Sequence, residues 1–341
     1  MAELKYYVDT DVVGGSSDGS DWDNAYSSLQ AAETARAASL NGDWIHYVVS
    51  GSSADGITVI NGTTMTTSAD YILIEAASET GHQDRAVAEG WKTDRYRISG
   101  ADDNALLIQD DYVRVSGLQV EVTDIDADYE SPIHVLAIAA SNLIRIYGCR
   151  LRGNNDGTNR NRSLTIADDD IDLELWNTIL TGSDGAAGSV SVYLFCNTAK
   201  IYNCVVYGGT TDGIASIAGT IDVYNTVVFS TGDDWQGTFN SINNCAYDDG
   251  DSTTNEVDET GGVGDGWDDN FTNAAGGDFT LKSGSHLIGE GAVDPGSGLF
   301  SDDMDGTTRG AAWDVGVFEY VAAGGGSAVP IIFQQMRWHR N

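Results

Sequence analysis

Proline is nearly missing, with 3 residues in 341. That excludes a Pro-rich extended chain, and with 41 glycines it suits many tight turns between strands. Cationic side chains are also few: lysine and arginine number 17 against 52 aspartates and glutamates, a formal net charge of −35. A surface of that sign repels nucleic acid and anionic membranes, so neither is an expected partner, and it disfavours strongly anionic polysaccharides unless metal ions intervene. It also provides a solvated coat that keeps an edge-rich β protein from self-association. Four cysteines without a C-x-x-C spacing suggest neither a disulfide scaffold nor a zinc site. No apolar run approaches ~18 residues, so no transmembrane helix is expected. The opening MAELKYYVDT has no basic region followed by an apolar stretch, so no secretion signal is expected either.

What the chain does have is a repeat. The segments VRVSGLQVEV, IRIYGCRLRG, LELWNTILTG, KIYNCVVYGG, IDVYNTVVFS and NSINNCAYDD align when Gly117, Gly148, Asn177, Asn203, Asn225 and Asn244 are matched. The spacings are 31, 29, 26, 22 and 19 residues. Units of this length, each with one alternating segment, point to a solenoid. One such unit covers a single strand face and cannot close a core, whereas stacking units about 4.8 Å apart gives every strand parallel partners. The expected fold is all-β: a single-stranded right-handed parallel β-helix with an N-terminal helical cap and a C-terminal extension.

Stacking makes columns. Asn177, Asn203, Asn225 and Asn244 form a candidate structural ladder, their amides donating and accepting along the axis; the alternative is that they are turn residues. The next position runs Leu118, Cys149, Thr178, Cys204, Thr226, Cys245. Cysteines on alternate rungs lie about 9.6 Å apart on the strand spacing, beyond the ~7 Å Cα limit for a disulfide, so free thiols are expected.

Residues 1–45 read as a strand and helix cap, with the helix from about Ala25 to Ala38 and Asn24 as N-cap. The coils fill 46–250, C-terminal coils and cap 251–320, and a Gly-rich hinge with a docking arm 321–341. The stretch ETGHQDRAVAEGWKTDR (79–95) breaks the rhythm and reads as a loop thrown out from the stack. Two flanking units, Tyr6 to Ala38 and Asp278 to Tyr320, carry YYV, DGS, W, LQ and then DF, GS, DG, R, D, G, E. In the second, Asp305, Gly306, Arg309, Asp314, Gly316 and Glu319 hold the matching positions. On these the chain resembles the right-handed parallel β-helix family of pectin-lyase-like proteins, over about nine tenths of its length. The resemblance is specific for fold only, since this fold carries lyases, hydrolases, adhesins and viral spikes.

After Tyr320 no acid occurs. Pro330, Ile331, Ile332, Phe333, Met336 and Trp338 are costly to leave in water, and Arg337 and Arg340 oppose the charge of the rest. These eight residues are candidate partner-docking residues that add to another subunit's sheet or groove, against the alternative of folding back on their own solenoid end.

For catalysis the residues offer little. The basic cluster RLRGNNDGTNRNR (150–162) reads as a solvated loop rather than a lyase base with its uronate-neutralising partner. Asp168 to Asp170, Asp233 with Asp234, and Asp248 with Asp249 could pair as in glycosidases, yet acids are abundant enough to pair by chance. SDDMDG (301–306) looks like part of a calcium loop, but Ala312 stands where a bidentate glutamate belongs. No catalytic residue, cofactor or metal is assigned. The expectation is a non-enzymatic bacteriophage virion structural protein, a capsid decoration or tail-spike-like component. It would be made in the host cytoplasm, displayed on the virion surface, bound to other virion proteins through its arm, and homo-oligomeric with a trimer as one form. The alternative is a β-helix polysaccharide lyase or glycoside hydrolase, a phage depolymerase.

Overall fold

The computed structural model describes residues 2–36, 40, 43–65, 69–86, 90–101, 103–124, 130–136, 142–153, 162–182, 189–208, 211–229, 232–247, 257–258 and 267–322. Within them the chain winds through successive coils of three faces. Face one holds Glu3–Asp9, Trp44–Ser50, Ile72–Ala76, Val113–Ser116, Asn142–Tyr147 and Ile171–Trp176, then the second halves of Val190–Tyr202 and Asp212–Tyr224, then Ser241–Asn243. Face two runs Ala54–Asp55, Arg97–Ala101, Gln119–Asp124, Arg150–Arg152, Ile179–Thr181, Val205–Tyr207, Val227–Phe229, Ala246–Tyr247 and Val257–Asp258. Face three runs from Thr58–Ile60 through Leu106–Ile108, Ile133–Val135 and Leu164–Ala167 to Asp233–Gly237. The ladders within each face are parallel, and the fold is a parallel β-helix.

Period-two alternation explains the interior. Tyr47, Ile74, Val115, Ile146, Leu175, Ile201 and Val223 follow one another in register on face one, all buried. Ile98, Val120, Leu151, Leu180, Val206, Val228 and Tyr247 do the same on face two. Outward positions on face one carry Arg145, Glu174, Lys200 and Asp222 in file, with Arg145 Nε 2.7 Å from Glu174. A second outward file is aromatic: Tyr147, Trp176, Tyr202 and Tyr224, the first two stacked at 4.4 Å.

Three elements differ from the sequence expectation. The strand Glu3–Asp9 is itself the first rung of face one, so the N-terminal module contributes a strand as well as a cap. Its helix spans Leu29–Arg36, later than Ala25. Tyr26 is held out of a helix by backbone bonds to Tyr7 and Asp9, and Asn24 closes a short 3-10 turn capped by Asp21. Ser28 Oγ and the Asp55 carboxylate then accept the first helical N–H groups, from Ala31 and Leu29. Ala37 and Ala38 lie outside the described residues.

Residues 267–322 do not continue the coil. They form a short helix, an antiparallel pair Phe271–Asn273 with Asp278–Leu281, and a series of turns. This segment lies along the outside of face two, where the outward residues Ile179, Val205, Val227 and Ala246 are apolar. Phe271, Phe279, Leu281, Leu287, Met304, Val315, Val317 and Phe318 bury them in a second core. No helix among the described residues is long and apolar enough to cross a membrane.

Candidate functional site: the asparagine column and the C-terminal clasp

Where face one turns into face two, one residue per coil takes the left-handed conformation: φ is 69° at Gly117, 62° at Gly148, and 48°, 49°, 50° and 52° at Asn177, Asn203, Asn225 and Asn244. Glycine enters that region freely and asparagine more readily than other residues, which explains both residue types in the matched column. The four asparagines hold the corners of successive coils, with Asn203 and Asn225 fully buried.

Their amides mostly point sideways. One bond runs along the axis, from Asn225 Nδ2 to Asn203 Oδ1 at 3.4 Å. The rest reach the flanking C-terminal segment. Asn177 Nδ2 donates to the Asp302 carbonyl at 2.8 Å, Asn203 Nδ2 to that of Gly316 at 3.3 Å, and Asn244 Nδ2 to that of Glu290 at 2.8 Å. Asn225 makes a two-way pair with Ala292, donating to its carbonyl at 2.8 Å and accepting its N–H at 2.6 Å. The carbonyls and N–H groups of an irregular segment are thus satisfied by side chains on a regular one. The column is the seam on which the clasp is fastened.

At Gly117 and Gly148 the seam has a different occupant. The Arg85 side chain crosses there, and a Cβ built on Gly148 would lie 3.0 Å from its guanidinium. Arg85 and Ala86, after the hairpin Ser78–Glu79/His82–Gln83, therefore pack on the body rather than in a free loop.

The matched motif of the C-terminal unit assembles the clasp. Arg309, buried, donates to Glu319 at 2.8 Å, Asn177 Oδ1 at 3.1 Å and the Gly316 and Val317 carbonyls. Burial pushes its basicity down, opposed by Glu319 and Asp303. Asp314 accepts the N–H groups of Gly289 and Tyr320, and Gly316 turns at φ 98°. Asp303 accepts from Asp305, Thr307 and Glu319, so its carboxylate organises a turn. Burial raises it to about 6, the backbone donors opposing. Val321 and Ala322, after Tyr320, are exposed. The docking residues Pro330, Ile331, Ile332, Phe333, Met336, Arg337, Trp338 and Arg340 lie outside the described residues.

The candidate catalytic groups are scattered. Arg150 is buried and donates to the Gly277 carbonyl at 2.9 Å, Arg152 pairs with Glu121 and covers Trp91, and Arg162 lies 3.7 Å over Tyr193. Asp168, Asp169 and Asp170 do bring carboxylate oxygens within 4.8 Å of one another, at a surface turn. Asp234 is fully buried, and Asp248 and Asp249 lie outside the described residues. His134, whose Nδ1 is 3.1 Å from Asn104 Oδ1, is pushed down to about 4, first by burial and then by Arg162.

The thiols Cys149, Cys196, Cys204 and Cys245 are free and buried. Burial raises Cys204 and Cys245 to about 12, which leaves them protonated and unreactive at neutral pH.

Sequence reasoning placed the corner column but missed what it holds. A signal was present in doubled apolar pairs: Ile179-Leu180, Val205-Val206 and Val227-Val228 replace the alternation of Arg97-Ile98 and Gln119-Val120. A strand apolar on both faces is covered on both.

No family model and no curated protein matches the chain. Among solved structures, it is similar to the crystal structure of pectate lyase Pel9A, at 13% identity over 94% of this chain and 97% of that one, with a TM-score of 0.44.

Proposed function

We propose that the protein is a non-enzymatic structural component of a bacteriophage virion, a capsid decoration or tail-spike-like rod that holds its particle through residues 323–341. The observation that carries this reading is the way the clasp ends. Arg309, Asp303, Asp314 and Glu319 tie residues 303–320 to one another, Arg309 fastens them to Asn177 of the coil, and in sequence an acid-free segment bearing Ile331, Phe333, Trp338, Arg337 and Arg340 follows. A rigid exit followed by a Gly/Ser hinge and an apolar, cationic tip suits an element that grips another protein. The buried apolar columns, and the contacts of Arg150, Arg152 and Arg162 within the body, support the structural reading. Homo-oligomerisation, including a trimer, and display at the virion surface are parts of the same proposal.

The test is co-sedimentation with capsids and tails from its own phage. The full chain should pellet with one of them, and a chain ending at 323 should not, while keeping the same far-ultraviolet circular dichroism. Undiminished pelleting of the shortened chain overturns the reading. Release of reducing sugar or unsaturated uronate from a polysaccharide panel overturns its non-enzymatic part.

A further inference from the structure

We propose that Arg114 and Arg145, on the outer side of face one, form a binding site for a tetrahedral oxyanion, a phosphate or sulfate group. The site lies on the coils, and it goes beyond the reading of residues 323–341 as a grip.

A charge pattern breaks at Arg114. Five charged residues follow one another in register on successive rungs: Arg114, Arg145, Glu174, Lys200 and Asp222. From Arg145 onward the signs alternate, so each cation has an acid on a neighbouring rung about 4.8 Å away. At Arg114 the sign repeats. Its neighbours along the file are Arg145 on one side and Leu73 on the other. Glu174 is committed to Arg145, whose Nε lies 2.7 Å from its carboxylate. Among the described residues Arg114 has no hydrogen bond and no ion pair. Its guanidinium lies 3.6 Å from the centre of the Tyr71 ring, which stacks in turn on Trp44 at 5.0 Å. Arg85 adds a third cation at the corner of the same two coils, where its side chain crosses Gly117 and Gly148. A chain with 17 lysines and arginines against 52 acids thus gathers three of its cations here.

That arrangement has a cost when nothing is bound. Arg114 is half-buried, and its basicity is pushed down first by that burial and then by Arg145. Like charges on adjacent rungs repel, and a desolvated cation without an acid is costly to hold. An anion seated against both guanidiniums offsets the two terms together. The acids elsewhere on the chain do not prevent it, because salt screens charges beyond about 10 Å at 0.1 M, whereas the anion touches the arginines. Glu75, which shares the surroundings of Tyr147 with Arg85 and Arg114, lies 3.1 Å from His46 Nε2 and is engaged there.

The donors decide which anion. A carboxylate presents both its oxygens to a single guanidinium fork. Here Arg114 keeps all its N–H groups and Arg145 keeps those that Glu174 leaves free. Donors arriving from two rungs call for more acceptors than one carboxylate has, and a phosphate or sulfate group carries them around one centre.

The experiment is titration calorimetry of the full chain with inorganic phosphate, inorganic sulfate and acetate, at constant ionic strength. Phosphate or sulfate should bind at one site per chain, and the tighter of the two identifies the group. Acetate should bind at least about ten-fold more weakly. Arg114→Gln should weaken the tetrahedral anion about ten-fold or more. Lys92→Gln, which removes the same charge beside face two, should leave it within about two-fold. Should Arg114→Gln not fold, Arg114→Lys carries the test, since it keeps the charge and loses the planar fork, and it should weaken binding at least about three-fold. The absence of saturable heat with both tetrahedral anions overturns the proposal, and so does acetate binding of equal strength. Unchanged binding in the Arg114 variant overturns it too, by placing the anion elsewhere. Equal weakening by Lys92→Gln does the same, by reducing the effect to net charge.

Discussion

At the scale of single residues, the corner positions show how one side chain serves two needs. Asn203 tolerates φ 49°, which most residues resist, and its amide reaches the Gly316 carbonyl while the residue is fully buried. Alanine there loses both. Asn203→Ala is expected to destabilise the protein by about 2–3 kcal/mol, the sum of a left-handed alanine and the lost buried amide hydrogen bond, the Gly316 carbonyl keeping its Arg309 donor. Asn203→Gly keeps the backbone and loses only the amide, and should cost about half as much. Urea unfolding of the three proteins checks the order; equal losses for alanine and glycine would mean that the conformation contributes nothing. The residue type was legible from sequence as ladder or turn. Which carbonyls the amides would meet was not, because they lie 46 to 125 residues away along the chain.

At the scale of elements, the N-terminal helix is fastened by a carboxyl in the wrong medium. Glu33 accepts from Tyr47 Oη at 2.8 Å, and its other oxygen is buried with no hydrogen-bond partner among the described residues. Burial raises it from 4.5 to about 7, with the tyrosine bond opposing. Between those two values the folded chain holds a proton that the unfolded chain has released. Its contribution therefore favours the folded state at acid pH and is lost as pH rises from about 4.5 to 7. Glu33→Gln, neutral throughout, should be close to wild type at pH 4 and more stable by roughly 1–3 kcal/mol at pH 8. Denaturant unfolding at the two pH values measures this, and a variant weaker than wild type at pH 8 would refute it. The existence of this helix was readable from its composition, but its start was not. The bridge from Val8 to Tyr26 delays it, and a contact between a strand and a loop leaves no local mark in sequence.

At the scale of the whole molecule, a formal charge of −35 is carried on a body whose stability comes from stacked apolar columns. Self-repulsion among acids is a long-range cost that salt screens, with a Debye length of about 10 Å at 0.1 M and 3 Å at 1 M. Raising sodium chloride from 0.01 to 0.5 M should lift the thermal midpoint by several degrees, on the order of 1–2 kcal/mol for a molecule of this size. Scanning calorimetry is the check, and a flat or falling midpoint would show that the acids are locally compensated.

By itself the sequence determined the coil. Alternation sets which side chains face inward, and the residue at each corner must accept a left-handed backbone, and both conditions are local, so they leave a periodic trace in VRVSG, IRIYG, LELWN, KIYNC and IDVYN. Only the tertiary structure decided the path of residues 267–322 along face two, the crossing of Arg85 over two glycines, and the burial of Arg309 against Asn177. Those contacts join an irregular segment to a regular one across more than a hundred residues in the case of Arg309. Their strength lies in complementary backbone groups and apolar patches that no fixed spacing encodes.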